Sequence, residues 1–114
     1  MSYDHYQKCI QLCGQCAIEC IRCATACLNE TDFKMLNRCI QLNRDCSSLC
    51  RLAVSAMSND NPLASEIIDV CADMCDVCAA ECERHTHDHC QICAQICREC
   101  AVECRNAIMP ATIV

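Results

Sequence analysis

Apolar and polar residues alternate along the chain with the period of a helix, and the pattern breaks strongly at three places. The breaks are Asn29-Glu30-Thr31, Ser58-Asn59-Asp60-Asn61-Pro62 and His85-Thr86-His87-Asp88. They divide the sequence into four segments. The first runs from about residue 2 to residue 28, with Ser2 or Asp4 as N-cap. Thr31 can cap the second, which runs to about Met57. Asn61 suits the N-cap of the third, and Pro62 its first helical position, where the missing N–H costs nothing. That segment ends near Arg84, and the fourth ends near Met109, before Pro110. Each spans roughly 22 to 27 residues, or ~33 to 40 Å of helix at 1.5 Å per residue. Four helices of similar length joined by short turns predict an all-α fold, an antiparallel up-down-up-down four-helix bundle forming one domain over 1–114. Gly14 sits inside the first helix and weakens it slightly.

The residues in phase on these helices are cysteines. The first segment carries Cys9, Cys13, Cys16, Cys20, Cys23 and Cys27, in steps of four, three, four, three and four. The third carries Cys71, Cys75, Cys78 and Cys82, and the fourth Cys90, Cys93, Cys97, Cys100 and Cys104, with the same alternation. The second carries Cys39, Cys46 and Cys50, with Asn43 in phase at the gap. Alternating steps of three and four form the seam that a helix turns toward its partners. In an ordinary bundle that seam is Leu and Ile. The expected lining of this bundle's core is therefore cysteine.

Composition sharpens the picture. The 114 residues include 18 Cys, one Gly, two Pro and three aromatics. Disulfide scaffolds are equally dense in cysteine, but they are built of loops, whereas this chain is rich in helix formers. The start, MSYDHYQKC, lacks the basic segment and apolar run of a secretory signal, and no stretch is apolar enough for a membrane span. A cytoplasmic protein is expected, in a compartment that keeps thiols reduced. The net charge of −6 argues against nucleic acid as partner. No Ser/His/Asp set, paired catalytic carboxylates or phosphate-binding glycine loop stands out, so no enzyme is expected.

Three readings compete for the cysteines. As small hydrophobes they would bury little apolar area per residue, and fifteen uninterrupted on three helices exceed what packing explains. As disulfides, neighbours three or four apart on one helix are badly placed for the bond. As metal ligands, the eight Cys-x-x-x-Cys and five Cys-x-x-Cys pairs set sulfurs on one face at successive turns. Thiolates select Cu(I), zinc or iron–sulfur clusters. Burying many thiolates requires that each be neutralised. Zinc takes about four ligands per ion, which would leave about half of the negative charge in the core. Iron–sulfur clusters are held by loop-like cysteine runs. Cu(I) accepts two or three sulfurs, and bridging thiolates let many ions chain along a column. Ag(I) should bind likewise.

The column has two different ends. The 28–31 and 85–88 turns share one end, with His85, His87, His89 and Met35. His85 continues the third stripe at three past Cys82, and Met35 the second at four before Cys39. Two readings stand for this end: weaker ligands that pass Cu(I) inward, or a solvated turn that happens to be rich in His. At the other end Val54, Met57, Ile67 and Ile108 stay in phase as an apolar plug. His5 reads as a capping or surface residue, and Met74 and Met109 as packing. Asn43 suits a metal-binding oxygen and a hydrogen-bonded core amide equally well.

Taken together, the stripes from Cys9 to Cys104 resemble those of the bacterial copper storage proteins, four-helix bundles whose inward cysteines hold Cu(I). The absent export signal resembles the cytosolic branch of that family. The resemblance implies storage, buffering and detoxification of copper, with the 18 Cys as ligands and the His-rich end as entrance. It also implies a homotetramer, although flanking residues such as Leu12, Ile18, Leu49 and Val102 suit contacts within one subunit too. The alternatives are a zinc or mixed-metal thiolate buffer and, further off, a thiol redox protein.

Overall fold

A computed structural model describes residues 3–109. Four helices follow one another: α1 (Tyr3–Leu28), α2 (Asn37–Ser58), α3 (Ala64–Cys82) and α4 (Asp88–Ile108). Sequential helices run antiparallel. Helix α1 packs on α2 and α4, and α3 packs on α2 and α4, while the diagonal pairs make no backbone contact. This square arrangement is the expected up-down-up-down bundle, with a bore along the axis that the inward side chains fill. No helix is long and apolar enough to cross a membrane among the described residues.

The helices approach closely because small residues flank the cysteines. Ala17, Ala24, Ala53, Ala72, Ala79, Ala94 and Ala101 are all buried beside them. On the outside, α3 and α4 are joined by an ion-pair ladder. Arg98 reaches Asp76 and Glu83 at 3.0 and 2.8 Å, and Arg105 reaches Asp73 and Asp76 at 3.0 and 2.6 Å. The arginines hold the Asp76 carboxyl below its ordinary value, against the opposing effect of its partial burial. Exposed pairs of this kind each contribute about 0 to 1 kcal/mol, so the ladder sets the registry of two helices more than it stabilises them.

The helix starts differ from the sequence expectation in two places. Thr31 does not cap α2. The chain first makes a 3₁₀ turn, Phe33–Leu36, held by the Met35 N–H donating to the Asp32 carbonyl at 2.9 Å, and α2 begins only at Asn37. A 3₁₀ turn advances about 120° per residue instead of 100°. Extrapolating the helical phase back to Met35 therefore fails: Met35 is 77 % exposed, and Leu36 is the residue that turns into the core. At the second break, Asp60 takes the left-handed conformation, at φ 56°, and the Asn61 N–H closes α2 on the Ala56 carbonyl at 3.0 Å. Asn61 does act through its side chain, whose Oδ1 accepts from the Leu63 N–H at 2.8 Å, but regular helix starts at Ala64. Ser2 and Pro110 lie outside the described residues. Asp4 falls within the first turn of α1, where its charge suits the positive end of the helix.

Candidate metal centre

The alternation of three and four places every cysteine on the inward face. All 18 are buried, none more than 2 % exposed, and all are free thiols. Sulfurs meet across α1 and α4, with Cys13 and Cys104 at 3.6 Å, Cys16 and Cys97 at 3.7 Å, and Cys20 and Cys93 at 3.8 Å. They also meet across α2 and α3, with Cys39 and Cys82 at 3.5 Å and Cys46 and Cys75 at 3.7 Å. A disulfide needs about 2.05 Å, so these are thiols in contact.

Several groups of sulfurs converge within 4.8 Å of one another. They include Cys16, Cys46, Cys50 and Cys75; Cys16, Cys20, Cys46 and Cys97; Cys20, Cys78, Cys93 and Cys97; Cys23, Cys27, Cys39 and Cys90; and the trio Cys9, Cys13 and Cys104. Neighbouring groups share members: Cys16, Cys20, Cys46 and Cys97 each belong to two. Isolated tetrahedral zinc sites would each need four sulfurs of their own. Overlapping groups suit bridging thiolates and a continuous run of ions.

Burial and mutual contact shift the thiols of the core. The Cys9 thiol is pushed up by its hydrogen bond to Cys104, with burial adding to the effect. Cys27 is pushed up by burial and by Cys23 and Cys39 beside it. Cys20 is pushed up through its contacts with Cys16, Cys46, Cys78 and Cys93. Its neighbour Cys16 shifts down, as the acceptor of hydrogen bonds from Cys100, Cys20 and others. A metal entering this core must displace protons from sulfur.

Asn43 bonds to sulfurs on three helices. It is fully buried, and its Oδ1 accepts from the Cys78 and Cys93 thiols at 3.1 and 3.2 Å. It also lies 3.7 Å from Cys82, and its Nδ2 donates to Cys39 at 3.6 Å. Here it is a hydrogen-bonded core amide.

The three histidines at the 85–89 turn have different surroundings. His89 contacts sulfur: its Nδ1 lies 3.4 Å from Cys23, 3.6 Å from Cys90 and 4.0 Å from Cys27. Its Nε2–H donates to Glu30 at 2.8 Å, which leaves Nδ1 to face the thiols. Partial burial works against a charged ring, but hydrogen bonds to Cys23 and Glu30 outweigh it and raise the His89 value. His85 instead donates to the buried Glu81 at 2.8 Å. His87 donates to Asp32 at 3.2 Å, with its Nδ1 buried and unpartnered. The carboxylates that orient these rings were not foreseen. Glu30 was legible, because it stands three past Cys27, where the alternation continues.

The opposite end is closed, though by other residues than expected. Met57 is buried as foreseen, while Val54, Ile67 and Ile108 are half-buried at its rim. The closing side chains alongside Met57 are Tyr6 and Ile68. His5 donates from Nε2 to the Ala107 carbonyl at 2.9 Å, which caps the end of α4. Met74 packs against the core, and Met109 is exposed.

Fold and core together define a class: a helical bundle whose interior is a reservoir of thiols for soft metal ions. Comparison with known proteins specifies the class further. The copper storage protein family matches residues 2–109, and the chain belongs to that family. A cysteine-rich protein of Bacillus subtilis, YhjQ, is 46 % identical over 88 residues, covering 77 % of this chain and 82 % of that protein. The Cu(I)-bound Bacillus copper storage protein BsCsp3 superposes with a TM-score of 0.89 at 44 % identity, covering 92 % of this chain and 99 % of that one. A cytosolic copper storage protein from Streptomyces lividans, loaded with five coppers, superposes with a TM-score of 0.89 at 32 % identity, covering 93 % of each chain.

Proposed function

We propose that this protein stores and buffers copper in the cytosol by holding many Cu(I) ions on its 18 core cysteines, as one metal-storage domain over 1–114. The observation that carries this reading is the sharing of sulfurs between adjacent groups along the bore. Bridging thiolates neutralise one monovalent ion each, and a chain of Cu(I) uses every sulfur. The role is storage and not catalysis: the sulfurs are sealed from substrates, and the contents are exchanged at one end. Cytosolic placement is supported by the cytosolic Streptomyces relative.

His89 is the residue at the entrance best placed to pass Cu(I) to Cys23, with Glu30 holding its ring. His85 and His87 face carboxylates and play at most an outer part, and Met35, pointing to solvent, has no contact with the column. Assembly as a homotetramer is part of the proposal. An apolar groove of about 430 Å³ between α1 and α2, lined by Gly14, Ala17, Ile18, Ile21 and Val54, offers a face for a second copy.

Anaerobic titration of the reduced protein with Cu(I) against a competing chelator tests the reading. Saturation near one ion per cysteine is expected. Saturation at four or five ions of Zn(II), with Cu(I) taken up no more readily, would favour the divalent buffer instead.

A further inference from the structure

Asn43 interrupts the cysteine stripes more deeply than its place in the sequence suggests. Its amide does not lie along the wall of α2. It reaches Cys78 on α3 and Cys93 on α4 at 3.1 and 3.2 Å, so it stands across the bore. Five cysteines lie on the entrance side of it: Cys23, Cys27, Cys39, Cys82 and Cys90. The other thirteen lie on the deep side.

The shortest contacts among the sulfurs respect this boundary, and only looser ones, of Cys23 with Cys93 and of Cys82 with Cys78 and Cys93, span it. Every sulfur–sulfur hydrogen bond of up to 4.0 Å joins two members of the same side. Of the convergent groups described above, Cys23, Cys27, Cys39 and Cys90 all belong to the entrance side, and the others all belong to the deep side. Asn43 bonds to both, through Cys39 and Cys82 above and Cys78 and Cys93 below.

An amide is a poor substitute for a thiolate at this level. Its oxygen is hard where Cu(I) prefers sulfur. It is neutral, so it offsets no charge from an entering ion in a low-dielectric core. It has no thiolate with which to bridge two ions. An ion moving along the column therefore meets its least favourable resting place beside Asn43.

We propose that Asn43 is a partition that divides the store into a small, quickly exchanged pool at the entrance and a larger, slowly exchanged pool behind it. The proposal rests on the Cu(I)-storage reading. Exchange involves no redox step: an S–H bond breaks, an S–Cu(I) bond forms, and the proton leaves to solvent, with the reverse on release.

The test is the time course of copper removal. The full-length protein, loaded with Cu(I) anaerobically, is mixed with excess bicinchoninic acid, and the coloured complex is followed. Two phases are expected, the fast one carrying five eighteenths of the copper, a little over a quarter. Asn43→Cys completes the stripe and should remove the fast phase, leaving a single one. Asn43→Leu leaves the gap in soft ligands and should retain both phases, although it loses the hydrogen bonds of the empty core. A single phase in the unaltered protein, or its appearance in Asn43→Leu, overturns the partition. Failure to load many ions at all would instead refute the storage reading, which the loaded copper content reports separately. Circular dichroism of each variant confirms that the bundle has formed.

Discussion

The bundle has few large apolar side chains in its core, and they sit at its ends. Among fully buried residues the largest are Leu36, Met57 and Ile68, followed by Asn43 and then cysteines. Leu36 lies at the entrance end, in the 3₁₀ turn before α2, and Ile68 lies at the closed end, near the start of α3. Truncating either to Ala removes comparable buried volume, and such substitutions typically cost about 2 to 5 kcal/mol. Against a total stability of about 5 to 15 kcal/mol, each should lower the melting temperature of the empty protein by roughly 10 °C or more. Copper stabilises the folded state in so far as it binds it more tightly than the unfolded cysteines, and one such site filled at 100 times its dissociation constant adds at most about 2.7 kcal/mol. Several filled sites exceed the deficit, so both loaded variants should melt above the empty parent, yet below the loaded parent, because binding adds the same increment to each and leaves the difference between them in place. The two should separate in kinetics. Leu36→Ala loosens the entrance and should speed removal of copper by a chelator. Ile68→Ala leaves the entrance intact and should not. Melts followed by circular dichroism, with and without copper, and stopped-flow transfer to a chelator supply the measurements. If Ile68→Ala sped removal as much as Leu36→Ala, the column would have no preferred end and the assignment of the His89 end as entrance would fall.

Two further outcomes follow from the same geometry. The Cys9 and Cys27 thiols hold their protons beyond the ordinary value of 9.0 in the folded state. Above that pH the unfolded chain releases protons that the folded chain keeps, so the stability that these two thiols contribute to the empty protein is full below about pH 9 and is lost as pH rises past it. The copper-loaded protein carries metal in place of those protons, and its melting temperature should stay flat over the same range. Gly14 lies inside α1, and a methyl group added there meets nothing within 4 Å. Gly14→Ala should therefore stabilise the protein by about 0.5 to 1 kcal/mol, visible as a rise in melting temperature. A fall would show that another chain occupies the groove that Gly14 lines.

Much of this architecture is written in the spacing of the cysteines. An unbroken alternation of three and four fixes which face each helix buries, and the 18 sulfurs lie where it places them. What the sequence reading missed lies just beyond the stripes, and the reason is specific. Extending each stripe by four residues reaches His5, Met35, Ile67 and Ile108. Keeping the alternation strict calls for a step of three at each of those points and reaches Tyr6, Leu36, Ile68 and Ala107, which are the buried residues. The same strict step past Cys27 reaches Glu30, the partner of His89. The 3₁₀ turn before α2 was not legible in this way. Its cause is tertiary: Glu30 and Asp32 face the histidines of the 85–89 turn, and the chain must then turn Leu36 inward before α2 can begin. Whether Asn43 would bond to thiols was open in the sequence too, because the answer depends on which sulfurs of α3 and α4 stand opposite it.

The pairing of each sulfur with one exchangeable proton has a consequence at the surface. On the proposed loading of one ion per protonated thiol, a proton leaves for every Cu(I) that enters, and the formal charge of −6 is then the same for an empty chain, a half-filled chain and a full one. The acidic and basic side chains outside are separated from the metal by the helix walls and are not asked to compensate for it. An electric field, an ion-exchange resin or a charged binding partner would then find no difference between them. How full the protein is becomes legible only at the open end, to a molecule that reaches inside.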